Sequence, residues 1–162
     1  MLVTISLFIA LHVVVTRFLS WETQTIRIGF GFVPVSLCSM VFGPYVGAIS
    51  AFLSDFVGML IFPKGPYFPG FGLNEALYGL TFGFFLYKKK KDYKHILSCL
   101  LLQTLFIDLG LATLWLHILY KNPYWVVLSN RLATAIVMLP IKYFGIKYGW
   151  EFIGKRIFAK NE

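Results

Sequence analysis

Long apolar runs separated by short polar breaks set the outline of this chain. Residues 2–19, 33–42, 45–62, 73–87 and 96–119, and the stretch from Tyr124 to a basic tail, read as six helical spans. Between the first two lies Ser20-Trp21-Glu22-Thr23-Gln24-Thr25, polar with one interfacial Trp. Residues 27–32 then alternate small or polar with apolar side chains. Two glycines so close weaken a helical turn, so an extended piece is expected there. The second span, ending at Gly43-Pro44, is too short to cross ~30 Å as a helix. Either residues 27–32 descend into the protein or the span is shortened, and non-helical backbone at that depth must be covered by protein or line a cavity. The third span stops at a stiff, aromatic segment, Pro63-Lys64-Gly65-Pro66-Tyr67-Phe68-Pro69-Gly70-Phe71-Gly72. Tyr120-Lys121-Asn122-Pro123 turns the chain before the sixth span, where Pro140 predicts a kink.

Composition sharpens this into an all-α membrane protein with a single integral-membrane domain over residues 1–162. Of 162 residues, 58% are hydrophobic and only 14% charged, a balance too apolar for a water-soluble domain of this size. At ~20 residues per crossing, six spans are close to the ceiling. The first run lacks a basic leader and a small-residue cleavage site, so it reads as a retained span.

The net charge of +8 does not point to nucleic acid, because of where the cations lie. Ten of the fifteen fall in two groups: Lys88, Lys89, Lys90, Lys91 and Lys94, and Lys142, Lys147, Lys155, Arg156 and Lys160. Positive loops resist translocation, so both groups are expected at the cytoplasm, with N- and C-termini on that side. Attraction to anionic lipid is a secondary role for the lysine run.

Ionisable residues inside the spans are few: Arg17, Asp55, Glu75, Asp108 and Arg131. Each costs ~2.5–3.5 kcal/mol in hydrocarbon, so such groups face the interior and pair. Asp55 or Asp108 with Arg131 or Arg17 would neutralise one another; contact with a ligand is an equal alternative for each residue. Asn74, Asn130, Thr104, Trp115 and His117 add polar groups, most of them in the outer half. An acid, amides and an arginine among aromatics would suit a flat, hydrogen-bonding, anionic small molecule.

Cys38 and Cys99 lack metal-type spacing and read as buried hydrophobes, and His12 as a packing or hydrogen-bonding residue. No metal site or cofactor is implied. The chain has no Gly-x-x-x-x-Gly-Lys-Ser/Thr loop, so energy must come from elsewhere. Small residues four apart, at Ser6 and Ala10, Gly43 and Gly47, and Gly79 and Gly83, allow close helix approach.

Arg27-Ile-Gly-Phe-Gly-Phe-Val-Pro-Val, Phe42-Gly-Pro, Ser54-Asp55-Phe-Val-Gly and the segment from Phe62 to Phe71 resemble, in order, the folate-specific S components of energy-coupling factor (ECF) transporters. The likeness covers residues 2–86 well and the rest mainly by pattern. It implies a six-helix, substrate-binding subunit of the cell membrane that captures folate without an ATPase site of its own. It would associate with a transmembrane coupling subunit and two cytoplasmic ATPases, and topple to deliver its cargo. The family's Ala-x-x-x-Ala contact motif would map to Ser6 and Ala10, with Ser in place of the first Ala.

Folate carries a flat pterin, a benzoyl linker and a glutamate with two carboxylates. The resemblance and the polar residues together make Asp108, Asn74, Glu75 and Asn130 pterin-side candidates, and Arg27 and Arg131 carboxylate partners. Phe30, Tyr67, Phe71 and Trp115 are candidate walls. Residues 21–31 and 63–72 are expected to close the outer mouth. An S component for another flat vitamin is the first alternative. A proton-coupled secondary transporter using Asp55 and Asp108 is the second, although no repeated halves are evident. An intramembrane enzyme is the third.

Overall fold

The computed structural model describes residues 2–22, 27–63, 68–89 and 92–154. Its helices follow the apolar runs: α1 (Leu2–Phe18), α2 (Phe32–Phe42), α3 (Pro44–Ile61), α4 (Pro69–Leu86), α5 (Tyr93–Leu102), α6 (Ala112–Tyr120) and α7 (Tyr124–Gly149). A π-helical segment, Gln103–Leu111, joins α5 to α6, so that Tyr93–Tyr120 is one 28-residue rod and six helical rods result among the described residues. The π segment was not expected from the apolar pattern.

Prolines and one glycine set the boundaries. Gly43 has φ 94°, a left-handed conformation that only glycine adopts cheaply, and it separates α2 from α3 within one residue. Pro44 and Pro69 occupy the first positions of α3 and α4, where a missing N–H costs nothing. Helix α4 therefore begins at Pro69 and not near residue 73 as the apolar run alone suggests. Phe68 before it is extended, as a residue preceding proline tends to be.

Strands β1 (Trp21–Glu22) and β2 (Arg27–Ile28) pair antiparallel, Trp21 opposite Ile28 and Glu22 opposite Arg27. This is the extended piece the alternation predicts, but it is shorter, since the helix already begins at Phe32. The backbone then dives. A Cβ on Gly29 would meet Ser20, whereas one on Gly31 would meet Thr16 and His12 of α1. Two residues thus carry the chain about 6 Å down α1, from the level of Ser20 to that of Thr16, at about 1.5 Å of rise per helical residue. That descent is how the 11-residue α2 fits into the bundle.

Three rods, Pro44–Ile61, Tyr93–Tyr120 and Tyr124–Phe152, are long and apolar enough to cross a bilayer; α1 and α2 are shorter apolar helices. Val3, Tyr45, Leu60, Phe106, Trp125 and Ile136 are exposed, an apolar exterior suited to lipid. The core joins Val35 and Met40 of α2, Ala51 of α3, Phe82 and Leu86 of α4, Ile96, Cys99 and Leu100 of α5, and Ile146 of α7. Helices α3 and α4 meet backbone to backbone. A Cβ on Gly79 would strike the Gly47 carbonyl, and one on Gly83 the Pro44 backbone. The small-residue pairs in α3 and α4 therefore serve internal packing, whereas Ser6 and Ala10 lie on an exposed face of α1.

Candidate ligand-binding site

Helix α4 presents polar and aromatic residues at helical spacing, Phe71, Asn74, Glu75, Tyr78 and Thr81, along one stripe. The rod Tyr93–Tyr120 packs beside it in a defined register. Gln103 Nε2 donates to Thr81 Oγ1 at 2.6 Å and to the Tyr78 carbonyl at 3.4 Å. The Tyr78 hydroxyl donates to Asp108 Oδ1, and Trp115 Nε1 donates to Asn74 Oδ1 at 3.3 Å. Asn74 and Glu75 are both buried. Above them Phe68 packs on Phe71 and Trp115, with ring centroids 5.9 and 5.4 Å apart. Gly70 makes room there, since its Cβ would collide with both Phe68 and Trp115.

Helix α7 closes the seam with two cations. Arg131 and Lys142 are eleven residues apart, three helical turns, and so share one face. Arg131 Nη1 lies 3.8 Å from Asp108 Oδ1 and donates to the Asp108 carbonyl at 3.1 Å. Lys142 Nζ lies 3.0 Å from Asp108 Oδ2 and 5.3 Å from the centre of the Tyr78 ring. The Asp108 carbonyl also accepts the Thr113 hydroxyl at 3.3 Å. That i→i+5 contact belongs to the π segment, whose widened turn presents this carbonyl to α7.

The structure brings together Phe71, Asn74, Glu75, Asp108, Trp115 and Arg131 of the residues selected from sequence, along α4, the Tyr93–Tyr120 rod and α7. Asn130 neighbours Arg131 on α7 and is half-buried; its carbonyl accepts the Thr134 hydroxyl at 2.8 Å. Phe30 sits apart, its ring 6.4 Å from that of Phe32, which in turn packs beside Gly145 of α7. Tyr67 and the side chain of Arg27 lie outside the described residues.

Of the four pairings the two acids and two arginines allow, two form: Asp108 meets Arg131, and Asp55 Oδ1 lies 3.9 Å from Arg17 Nη2. Lys142 requires a correction. Grouped by sequence with the cytoplasmic cations, it instead turns its ammonium into the seam, because a carboxylate in hydrocarbon attracts the nearest long-armed cation. Tyr78, Phe68, Thr81 and Gln103 were also missed. For Tyr78 and Lys142 a signal existed, since Tyr78 is one turn from Asn74 and Lys142 repeats Arg131 after three turns.

A second polar cluster lies between α1, α2 and α3. His12 Nδ1 and Ser54 Oγ are 2.5 Å apart, and Cys38 Sγ and Ser50 Oγ 3.3 Å. They line a narrow crevice with Phe8, Ile9, Pro34, Val35 and Ala51, too tight to admit a water-sized sphere. Pockets for drug-sized ligands run to roughly 300–1,000 Å³, so this one is too small for such a molecule. Among the described residues no group of His, Cys, Asp and Glu is arranged to hold a metal. Both cysteines are free and buried.

Comparisons with known proteins agree over most of the chain. The family model described as "ECF transporter, substrate-specific component" matches residues 1–146. The Folate transporter FolT of Clostridium novyi is 39% identical over 154 residues, covering 95% of this chain and 90% of that protein. The Folate transporter FolT of Leuconostoc mesenteroides is 27% identical over 152 residues, covering 90% of this chain and 81% of that one. Among solved structures, FolT bound with folic acid aligns with TM-score 0.87 and 37% identity, over 91% of this chain and 92% of that chain. The S component of a bacterial ECF transporter aligns with TM-score 0.52 at 24% identity, over 99% of this chain and 95% of that chain, a likeness of fold.

Proposed function

The chain belongs to the substrate-specific components of ECF transporters, multi-pass membrane proteins, and from that premise we propose that it is a folate-capturing subunit of the cell membrane. The observation that carries the ligand is the likeness, at 37% identity and TM-score 0.87, to a FolT bound with folic acid. The seam between α4, α6 and α7 suits that chemistry. It offers amide, carboxylate and guanidinium groups under a cover of Phe68, Phe71 and Trp115.

In this reading Asn74, Glu75, Asn130 and Asp108 meet the donors and acceptors of the pterin, and Trp115, Phe71, Phe30 and Tyr67 flank its rings. Arg27 faces the glutamate carboxylates, whereas Arg131, its Nη1 donating to the Asp108 carbonyl at 3.1 Å and lying 3.8 Å from Oδ1, belongs with Asp108 at the pterin end. Residues 1–162 act as one membrane domain, with both termini and the lysine-rich turn after α4 on the cytoplasmic side. The relatives are transport proteins and not enzymes. Hydrolysis therefore falls to two cytoplasmic ATPases joined through a transmembrane coupling subunit, and the subunit itself supplies affinity and reorientation. Ser6 and Ala10, small and exposed on α1, are the contact offered to that coupling subunit.

Calorimetry on the detergent-purified chain tests this directly. Folate should bind without ATP, and vesicle uptake should require the ATPase module. Failure to bind folate overturns the ligand, and uptake by the chain alone overturns the division of labour.

A further inference from the structure

Lysine is the residue least suited to the interior of a membrane protein, yet the Lys142 side chain is only 13% exposed. A lysine serving topology would extend its ammonium to the headgroups, as long cationic side chains near helix ends do. Lys142 instead places Nζ 3.0 Å from Asp108 Oδ2, with its ammonium beside the face of Tyr78. The hydroxyl of Tyr78 holds the other oxygen, Oδ1.

Everything around this carboxylate fixes its position. The Tyr78 backbone is tied to the neighbouring rod through Gln103, whose Nε2 also holds Thr81. The Asp108 backbone is tied to α7 through Arg131, and within its own rod through Thr113. Of the three charged side chains Asp108 is nonetheless the most open, at 21% against 15% for Arg131 and 13% for Lys142. An ionised carboxylate has about four acceptor positions; Tyr78 and Lys142 take one on each oxygen, and Arg131 Nη1, at 3.8 Å from Oδ1, is an ion-pair contact beyond hydrogen-bond length, which leaves about one position on each oxygen. Two free acceptor positions side by side match a pair of adjacent N–H donors, such as the amino group and ring N–H on a pyrimidine edge of a pterin.

We propose that Lys142 is a positioning residue of the ligand site: with Tyr78 it clamps the Asp108 carboxylate so that its open acceptor positions meet the donor edge of the pterin. This rests on the folate reading above and adds to it a residue at the cytoplasmic side of the seam. Lys142 acts through Asp108 and does not touch the ligand's carboxylates, which belong to the other end of the molecule.

The test compares folate, a pterin fragment (6-hydroxymethylpterin) and a tail fragment (p-aminobenzoyl-glutamate) on the purified full chain, by calorimetry or by competition against folate. Lys142→Met should weaken folate and the pterin fragment by about ten- to a hundredfold, the scale of a lost charge-assisted hydrogen bond, and leave the tail fragment unchanged. Asp108→Asn should behave alike, and adding Lys142→Met to it should cost nothing further, since the lysine works only through that carboxylate. Lys147→Met, five residues on and exposed, removes an equal charge from the same helix and should bind as the parent does. Where Lys142→Met gives no monodisperse protein, Lys142→Arg decides: the charge is kept and the clamp geometry altered, so a loss confined to pterin-containing ligands is expected. Parental affinity for the pterin fragment in these variants, a loss on the tail fragment, or additive losses in the double variant would overturn the proposal. A parent chain that binds no folate overturns the ligand reading instead, so the two failures are told apart.

Discussion

The Arg17–Asp55 pair gives the sharpest quantitative expectation. The two side chains are 6% and 9% exposed and their charged atoms lie 3.9 Å apart. At that distance two unit charges attract by about 4 kcal/mol for an effective dielectric constant near 20. The pair is built into the packing, because a Cβ on Gly58 would come within 2.9 Å of Arg17 Nε, so the guanidinium lies directly against the α3 backbone. Asp55→Asn leaves that cation buried without its counter-charge, which typically costs about 3–5 kcal/mol. For a chain of this length each kcal/mol moves the melting point by about 2–4 °C, so a fall of roughly 10 °C is expected. Replacing both partners, Arg17→Met with Asp55→Leu, removes the charge that needed a partner and should recover most of the loss. Thermal unfolding of the detergent-solubilised chain, followed by size-exclusion fluorescence, measures all three. A single variant that melts with the parent, or a double variant that melts no higher than Asp55→Asn, would refute the assignment of this pair as mutual neutralisation.

Three further outcomes follow from the geometry. Gly79→Leu drives a side chain into the Gly47 carbonyl, and overpacking of this kind costs about 1–3 kcal/mol or more, so a sharply reduced melting point or no folded protein is expected in the same assay. Lys121, at the end of α6, has φ 53°; Lys121→Gly relieves about 1 kcal/mol of left-handed strain and should raise the melting point by a few degrees. Ser6→Trp, on an exposed face of α1, should leave folate affinity of the isolated chain intact while abolishing copurification with the coupling subunit; retained assembly would exclude that face.

Much of the fold was legible because lipid enforces simple rules. Apolar runs must become helices, prolines sit at helix starts, and glycine takes the left-handed turn at residue 43. The helix bounds shifted by a few residues where local chemistry overrode apolarity, as at Pro69. The site was half legible. Asn74, Glu75, Asp108 and Arg131 stood out because a polar group in an apolar span demands an explanation. Lys142 was assigned to the wrong company, since charge counting follows sequence neighbours while an ammonium follows the nearest carboxylate in space.

Solvent alone settles which segments become helices and which polar residues must turn inward, and for this chain that is a property of composition and order. Partnership is different. That Asp108 faces Tyr78, Arg131 and Lys142 together, that Trp115 meets Asn74, and that Gly31 reaches the level of Thr16 depend on helix register, on the π segment and on the descent before α2. Those are set by how neighbouring surfaces interlock, and no periodicity within one helix encodes its offset against another.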